Sequence, residues 1–441
     1  MFRVQDEFRR TQLAVVALFC SLGFQYATWA SRIPAIKAHL GLSTAEVGLL
    51  LMATGVGAAA SFPLVAMLMK RLGSRRLSLL SALCLALLLL AMAELPNYPT
   101  ALVVMCADGV LVGALNVAMN AQGAALEVRF GRNTMARLHA TFSGGSLVAA
   151  LLASGMNLVT SSVLVHFAVA AGLLLLAVGY ARPGLLLQDK PAEGEAEAPA
   201  SASAEPAEAA PKERKRGRLA LPARLTLWMG LAMAFGTVTE GAMNDWSSLY
   251  LKDVAKASAE LVPMGIAVVS VTMVVARLLT DGWRERWGDG RIVRTGSTLA
   301  AVGLALALLS GGVVPALVGF ACVGLGVAAV TPCVYVAAAA QGSDALTMVA
   351  TMGTVGLLGG PPIIGFIANS SGLSWGMGAV AASALIVSLC ATRIRWAPAP
   401  GAGSAAADPA GADPAAEPVP DPAPGFEAGF EARPAQVEAR S

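Results

Sequence analysis

Twelve apolar runs, each close to or above the length of a membrane-spanning helix, constrain this chain more than any other feature. Crossing the hydrocarbon core of a bilayer takes about 20 helical residues. Only helices and closed barrels satisfy the backbone there, and the runs lack the alternating pattern of barrel strands. We therefore predict an all-α membrane protein with twelve transmembrane helices. The predicted spans are about 11–30, 44–69, 77–94, 99–121, 134–160, 162–181, 224–250, 261–281, 292–311, 313–338, 345–368 and 372–392.

The composition supports the same class. Charged residues make up 13% of the chain, against about 25% in an ordinary soluble domain. The six cysteines all lie in apolar runs, none forms a C-x-x-C pair, and the three histidines are far apart. We therefore expect no metal site and no cofactor. The basic residues cluster between alternate spans, which membrane topology explains without a nucleic-acid partner.

The distribution of lysine and arginine predicts the orientation. Outside the C-terminal tail, 25 of these residues fall on one side of the predicted membrane and 4 on the other. Because basic residues favour the cytoplasmic side, we predict that both termini are cytoplasmic, in the inner membrane of a bacterium. The first span follows Arg9 and Arg10 as in a signal peptide. No small-x-small cleavage site follows it, so we interpret it as a transmembrane helix.

A polar region divides the spans into two sets of six. We predict an N-terminal six-helix bundle at 1–181 and a C-terminal bundle at 224–396. The cytoplasmic linker 182–223 is rich in Ala, Glu and Pro, and the tail 397–441 is rich in Ala, Pro, Gly and Asp. Such segments bury little apolar surface, so both are predicted to be disordered.

The two halves look like copies of one another. Trp29 closes the first span and Gly73 follows 44 residues later in a short basic turn. Trp246 closes the seventh span and Gly288 follows after 42 residues, also in a basic turn. A second pair of similar segments is MARLHATFSGG (135–145) and MVATMGTVGLLGG (348–360). Two parallel six-helix repeats are typical of transporters whose binding site lies at the midplane between the halves.

This layout resembles the major facilitator superfamily of secondary transporters over residues ~10 to ~395. The turn KRLGSRR (70–76) is similar to the superfamily signature between the second and third helices, D-R-x-G-R-R after a small residue. It departs from that signature at Lys70, where Asp is usual, and at Ala66, where Gly is usual. The second copy keeps an acid, Asp281. The segments WASRIPAIK, LHATFSGG and EGAMNDWSSLYL most resemble the bacterial branch related to fucose:proton symporters.

The resemblance implies alternating access without ATP, and no glycine pattern of a nucleotide-binding loop is present in the sequence. Arginines near helix ends can bond an acid or helix carbonyls and so hold one conformation. The candidate gating residues are Arg71, Arg75, Arg277 and Asp281, with Arg277 and Asp281 as a possible pair. The alternative is that these arginines only set the topology.

Glu240 is the most informative polar residue, because it lies well inside the seventh span. A lone carboxylate in hydrocarbon costs roughly 2.5 kcal/mol or more, so it needs a function or a partner. Its protonation responds to whether its surroundings are wet or dry, which is what proton coupling requires. Asp108 and His139 are further candidates, and in the fucose-symporter relatives intramembrane acids serve in coupling and binding. The alternative for each is a simple bond to a neighbouring helix.

A polar solute also needs amides and flat aromatic faces in an otherwise apolar cavity. The candidate substrate-binding residues are Gln25, Tyr26, Trp29, Asn116, Asn120, Asn244, Trp246 and Tyr335. The alternative for each amide is a hydrogen bond between helices, worth about 0.6 kcal/mol.

We therefore predict a monomeric, proton-coupled transporter of a small polar solute, sugar-like or another metabolite. An efflux pump of the same fold for amphipathic compounds is the alternative, with Met52, Met119, Met233 and Met243 available to line its cavity. A sensor or an enzyme fits less well, since neither appendage resembles a folded output domain and no nucleophile–base pair appears. The expected partners are the solute, protons and the lipid bilayer.

Overall fold

The computed structural model describes residues 2–132, 134–187 and 224–396, with backbone only at 2–5 and 136. Most of the predicted linker and all of the predicted tail lie outside the described residues. The described residues form helices and no strands, which confirms the predicted fold class. The helices are α1 (Phe2–Ala30), α2 (Ile33–Leu40), α3 (Thr44–Ala60), α4 (Phe62–Ala93), α5 (Tyr98–Phe130), α6 (Met135–Val159), α7 (Val163–Ala181), α8 (Arg224–Asp253), α9 (Met264–Trp287), α10 (Asp289–Ser310), α11 (Val313–Val327), α12 (Val330–Ala339), α13 (Ser343–Ser371) and α14 (Leu373–Ala391).

The twelve predicted spans map onto these helices with two adjustments. The second span is α3 together with the first part of α4, and the third is the rest of α4, because Gly73 breaks α4 with φ 73° and ψ 165°. The tenth span is α11 followed by α12. The short helix α2 was not predicted; it begins next to Pro34 and ends at Gly41, whose φ is 64°.

Length and composition alone qualify ten helices of the described chain as membrane spans, and α2 with α3, bent by 120°, makes an eleventh. The 30-residue α8 is not among them. Its Glu240, Asn244 and Asp245 lower its mean hydropathy. The helix that carries Glu240 therefore lacks the sustained apolar run of a lipid-facing span, as expected for one that faces protein and solute.

Helix packing repeats between the two halves. The pairs α1–α6, α3–α5, α4–α5, α4–α7 and α1–α7 have as counterparts α8–α13, α9–α11, α10–α11, α10–α14 and α8–α14. Between the halves, α3 packs on α13 and α6 packs on α9. When each helix is replaced by its counterpart, the α3–α13 contact becomes the α9–α6 contact. The helices therefore form two pseudo-symmetric sets of six. All described residues belong to one compact unit, and the boundaries at 181 and 224 stay a prediction.

The two basic turns confirm the repeat at the level of the backbone. Gly288 has φ 78° and ψ 152°, close to the values at Gly73, and each glycine precedes a new helix. Only glycine adopts this region without strain. The turn in each half therefore depends on its glycine.

Close backbone approach joins the halves at the face where α1 ends. Gly48 of α3 lies against α13, where an added Cβ would come 2.7 Å from the carbonyl oxygen of Pro361. Small residues at such a crossing allow helices in a membrane to pack by van der Waals contact. At this face, α3 and α13 are therefore in close backbone contact.

Candidate functional site

A hydrogen bond between α1 and α8 joins the two halves. The hydroxyl of Tyr26 donates to the carboxylate of Asp245. Asp245 is only 5% exposed, and the Tyr26 phenol is a hydrogen-bond donor to it from the opposite half. Sequence analysis singled out Glu240 on this helix and not Asp245, which in the structure bonds directly to the opposite half.

A second acid lies within the first half. The side-chain amide of Gln25 on α1 donates to Oδ1 of Asp108 on α5 at 2.8 Å. Both residues are almost completely buried. Neither Oδ2 of Asp108 nor Oε1 of Gln25 has a hydrogen-bond partner among the described residues. This pair therefore presents two further acceptor atoms in a dry environment.

The third acid, Glu240, is held by a cation. Arg277 of α9 contacts Oε1 of Glu240 at 3.0 Å and donates through Nη1 to the hydroxyl of Ser143 on α6, also at 3.0 Å. The Arg277 and Glu240 side chains are 25% and 30% exposed. Because α6 belongs to the other half, Arg277 links the acid of one half to the opposite half.

This geometry corrects the pairing suggested for Arg277. It binds Glu240, whereas Asp281 is exposed and forms no ion pair with the described residues. The other candidate gating residues lie apart from this site: Arg71 is exposed, and Arg75 donates to the backbone carbonyl of Arg182 at 2.9 Å.

Tyr26 interacts with all three acids. Besides bonding Asp245, its hydroxyl lies near enough to Asp108 and Glu240 to interact with both electrostatically. His139 lies one helical turn before Ser143 on α6 and interacts electrostatically with Arg277. The ring of His139 also meets the ring of Phe19 edge-on, with centroids 5.0 Å apart.

The predicted amides are bonded mainly within their own helices. Asn120 donates to the backbone and side-chain oxygens of Asn116 at 2.8 and 2.7 Å, and Asn244 donates to the backbone oxygen of Glu240 at 3.3 Å. All three asparagines are half-buried. Through these bonds the asparagines do not link one helix to another.

The predicted aromatic residues are packed more deeply than a stacking platform requires. Trp29 and Trp246 are 2% and 0% exposed, and Tyr335 is 7% exposed. Trp29 meets the ring of Tyr26 edge-on at 5.2 Å and lines a small apolar cavity. In this conformation Trp29 thus positions Tyr26 instead of presenting its own face to a solute.

Further bonds between the halves close the face at which α1 ends. Lys37 of α2 pairs with Asp253 of α8 at 2.9 Å. Ser154 and Asn157 of α6 donate to the backbone carbonyls of Glu260 and Ala259 at 2.6 and 2.7 Å. None of these contacts was predicted from the sequence. The only indication was that Lys37 is one of the few basic residues on this side of the predicted membrane.

Nearby, two buried residues of the first half bind each other. Nε of Arg32 donates to Nδ1 of His166 at 2.9 Å. Since Nδ1 accepts this bond, the neutral ring carries its proton on Nε2. This contact ties the end of α1 to α7.

Comparison with known families identifies the protein class. Residues 14–343 match the profile of the family described as Major Facilitator Superfamily. The chain belongs to this superfamily. It is therefore a multi-pass membrane transporter, and since the family and its relatives are transporters, it is not an enzyme. The predicted resemblance to the superfamily is confirmed, while the finer assignment to the branch related to fucose:proton symporters stays a prediction.

Three similar proteins from bacteria cover almost the whole chain. An uncharacterised MFS-type transporter of Yersinia pestis is 31% identical, over 87% of this chain and 95% of the relative. An uncharacterised transporter of Sinorhizobium fredii is 29% identical, over 81% and 91%. The membrane protein MosC of Rhizobium meliloti is 30% identical, over 87% and 89%.

Solved transporters share the fold at low sequence identity. The nucleoside transporter NupG is 13% identical with a TM-score of 0.64, covering 88% of this chain and 98% of its own. A bacterial homologue of the human lysosomal transporter Spinster, in an inward-facing and unoccupied conformation, is 14% identical with a TM-score of 0.65, covering 89% and 99%. These likenesses establish the transporter fold.

Proposed function

We propose that this superfamily member is a proton-coupled secondary transporter that moves a small polar solute across the bacterial inner membrane by alternating access. The observation that carries the proposal is the set of three acids around Tyr26, one of which bonds that tyrosine across the two halves. A bond in this position must break whenever the halves separate.

The charge balance of the site favours proton uptake. Asp108, Asp245 and Glu240 supply three carboxyl groups, and the ion pairs of the described residues give a cation only to Glu240. Burying a carboxylate without a cation is costly, and a bound proton removes that cost. When the halves separate and water enters, the acids become hydrated and the proton can leave. Asp245 therefore joins Asp108 and Glu240 as a proposed coupling group, while His139 remains a weaker candidate.

The transport cycle also requires the face at which α1 ends to open and close. From the distribution of basic residues we assign the face at which α1 ends to the outside of the cell. The contacts of Lys37, Ser154 and Asn157 then close the extracellular side in this conformation. Opening to that side requires these bonds and the Tyr26–Asp245 bond to break, so access alternates as they form and break.

The solute is proposed to bind beside the acids, through Gln25, Asn116, Asn120 and Asn244. Asn244 bonds the backbone of Glu240, Asn120 bonds Asn116 on α5, and all three half-buried amides carry both donors and acceptors. A hydroxyl-rich solute such as a sugar or a nucleoside provides the matching groups. Because NupG is a nucleoside transporter of the same fold, nucleosides join the compounds worth testing.

The test has two steps. Purified protein is screened by thermal shift against sugars, nucleosides, organic acids and amphipathic drugs, since a specific ligand raises the melting temperature by mass action. The best ligand is then followed in proteoliposomes with an imposed pH gradient. Glu240→Gln and Asp245→Asn should lose gradient-driven accumulation, and the exposed-acid variant Asp281→Asn should retain it. Equal accumulation in all four proteins would remove the acids from the mechanism.

The structure weakens the argument for an amphipathic efflux pump. Met119, Met233 and Met243 are 2%, 1% and 0% exposed and pack in the cores of the two halves. Met52 is half-buried, so three of the four methionines named for the efflux alternative are packed away in this conformation. A drug-sensitivity screen on deletion and overexpression strains discriminates the two functions, and we expect no change in sensitivity.

A further inference from the structure

The two basic turns differ in how their arginines are neutralised. In the second half, Arg284 bonds both carboxylate oxygens of Asp289, directly after Gly288, at 2.9 and 3.2 Å. The residue in the same place after Gly73 is Ser74, whose hydroxyl accepts a bond from Gln122 at 2.6 Å. The first half thus lacks the acid that neutralises the turn in the second half.

Three arginines of the first half surround an open cavity instead. The cavity has a volume of about 360 Å³ and is lined by Arg75, Arg76, Arg182, Leu79 and Leu80. No ion pair among the described residues involves any of the three arginines. Nε of Arg75 is buried without a hydrogen-bond acceptor in the described part of the chain.

The charges next to the cavity add to its positive potential. Lys70 and Arg71, just before the turn, are exposed. The helix that follows Gly73 directs its amino end, with its partial positive charge, toward the same place. The cavity therefore favours an anion, and guanidinium groups match the oxygens of a phosphate.

An apolar track leads away from the arginines. Leu80, Leu83 and Leu87 are 47%, 38% and 50% exposed, and their spacing places them along one side of α4. This surface faces the surrounding membrane rather than another described helix. A ligand that fills both regions has an anionic head and a hydrocarbon chain.

We propose that this cavity binds an anionic glycerophospholipid, with its phosphate at Arg75, Arg76 and Arg182 and an acyl chain along the leucines of α4. The lipid supplies in the first half the negative charge that Asp289 supplies in the second. The acidic stretch 188–210 of this chain is the alternative occupant. Its carboxylates match the arginines, but it has few apolar side chains to cover the leucines of α4. The site is separate from the acids around Tyr26 and does not depend on the solute.

The experiment measures lipid retention by native mass spectrometry and thermal stabilisation in detergent. The full chain is titrated with phosphatidylglycerol, phosphatidylcholine or inorganic phosphate. The test variant is Arg76→Gln with Arg182→Gln, which leaves the Arg182 backbone carbonyl available to Arg75. The control is Arg291→Gln with Arg393→Gln, two exposed arginines of the second half; Arg291 stands three residues after Gly288, as Arg76 does after Gly73.

We expect phosphatidylglycerol to bind the wild type and the control equally. Each arginine near an anionic headgroup contributes about fivefold in affinity, so the test variant should bind about 30-fold more weakly. Phosphatidylcholine and inorganic phosphate should not stabilise any of the proteins. Equal loss in the control, equal binding by the test variant, or equal stabilisation by phosphate would overturn the proposal. Displacement of the lipid by a synthetic peptide of residues 188–210 would also overturn it, by making the chain's own linker the occupant.

Discussion

Removing the charge of Arg277 should destabilise the protein, because the Glu240 carboxylate then has no cation beside it. Arg277→Gln leaves Glu240 in a partly dry site without its cation. An exposed ion pair is worth at most about 1 kcal/mol, whereas breaking a fully buried pair costs about 3–5 kcal/mol. Since the two side chains are 25% and 30% exposed, we expect a loss of about 2 kcal/mol in the free energy of unfolding.

The double variant separates this ion pair from general packing. With Glu240→Gln beside Arg277→Gln, neither residue is charged, and a neutral amide needs no cation. The double variant should therefore be destabilised by less than about 1 kcal/mol, well below the sum of the two single changes. Stability is measured by reversible unfolding in mixed micelles containing SDS. The matched control is the combination of Arg284→Gln and Asp289→Asn, which removes another ion pair of the second half. Strict additivity at positions 240 and 277 would refute the assigned interaction.

Three further changes test the contacts between the halves and the turns. Tyr26→Phe should cost about 1–3 kcal/mol of unfolding free energy, because it leaves the buried acid at 245 without its donor; unchanged stability would contradict that bond. Lys37→Ala with Asp253→Ala should raise labelling of an extracellular cysteine probe by up to about fivefold, since the pair contributes about 1 kcal/mol or less to closure. Gly73→Ala and Gly288→Ala should each cost about 1–3 kcal/mol in the same unfolding assay, through strain at their positive φ, and a neutral effect at either would disprove the shared backbone conformation.

The sequence predicted the fold well because its strongest signals are local. Apolar length locates the spans, and a glycine between basic residues locates each turn. The matching backbone angles at Gly73 and Gly288 confirm the second signal. The separate helix α2 was missed because an eight-residue amphipathic segment gives no comparable signal.

The site was predicted only in part because its contacts depend on how each helix is rotated. Asp108, Glu240 and Gln25 were found as polar residues inside apolar spans. Asp245, about 140° around α8 from Glu240, was not matched to Tyr26, since spacing along one helix does not reveal which neighbour each face meets. Arg277 was counted among the cytoplasmic charges, although its side chain reaches the site.

Proton movement driven by the solute tests the central claim most directly. Proteoliposomes that contain a pH-sensitive dye are given an inward gradient of the ligand found in the thermal-shift screen, with no imposed pH difference. The account predicts a change of internal pH with the wild type, and solute exchange without that change when Asp108→Asn and Asp245→Asn are combined. Solute uptake by the wild type at constant internal pH would contradict the claim that these acids carry protons.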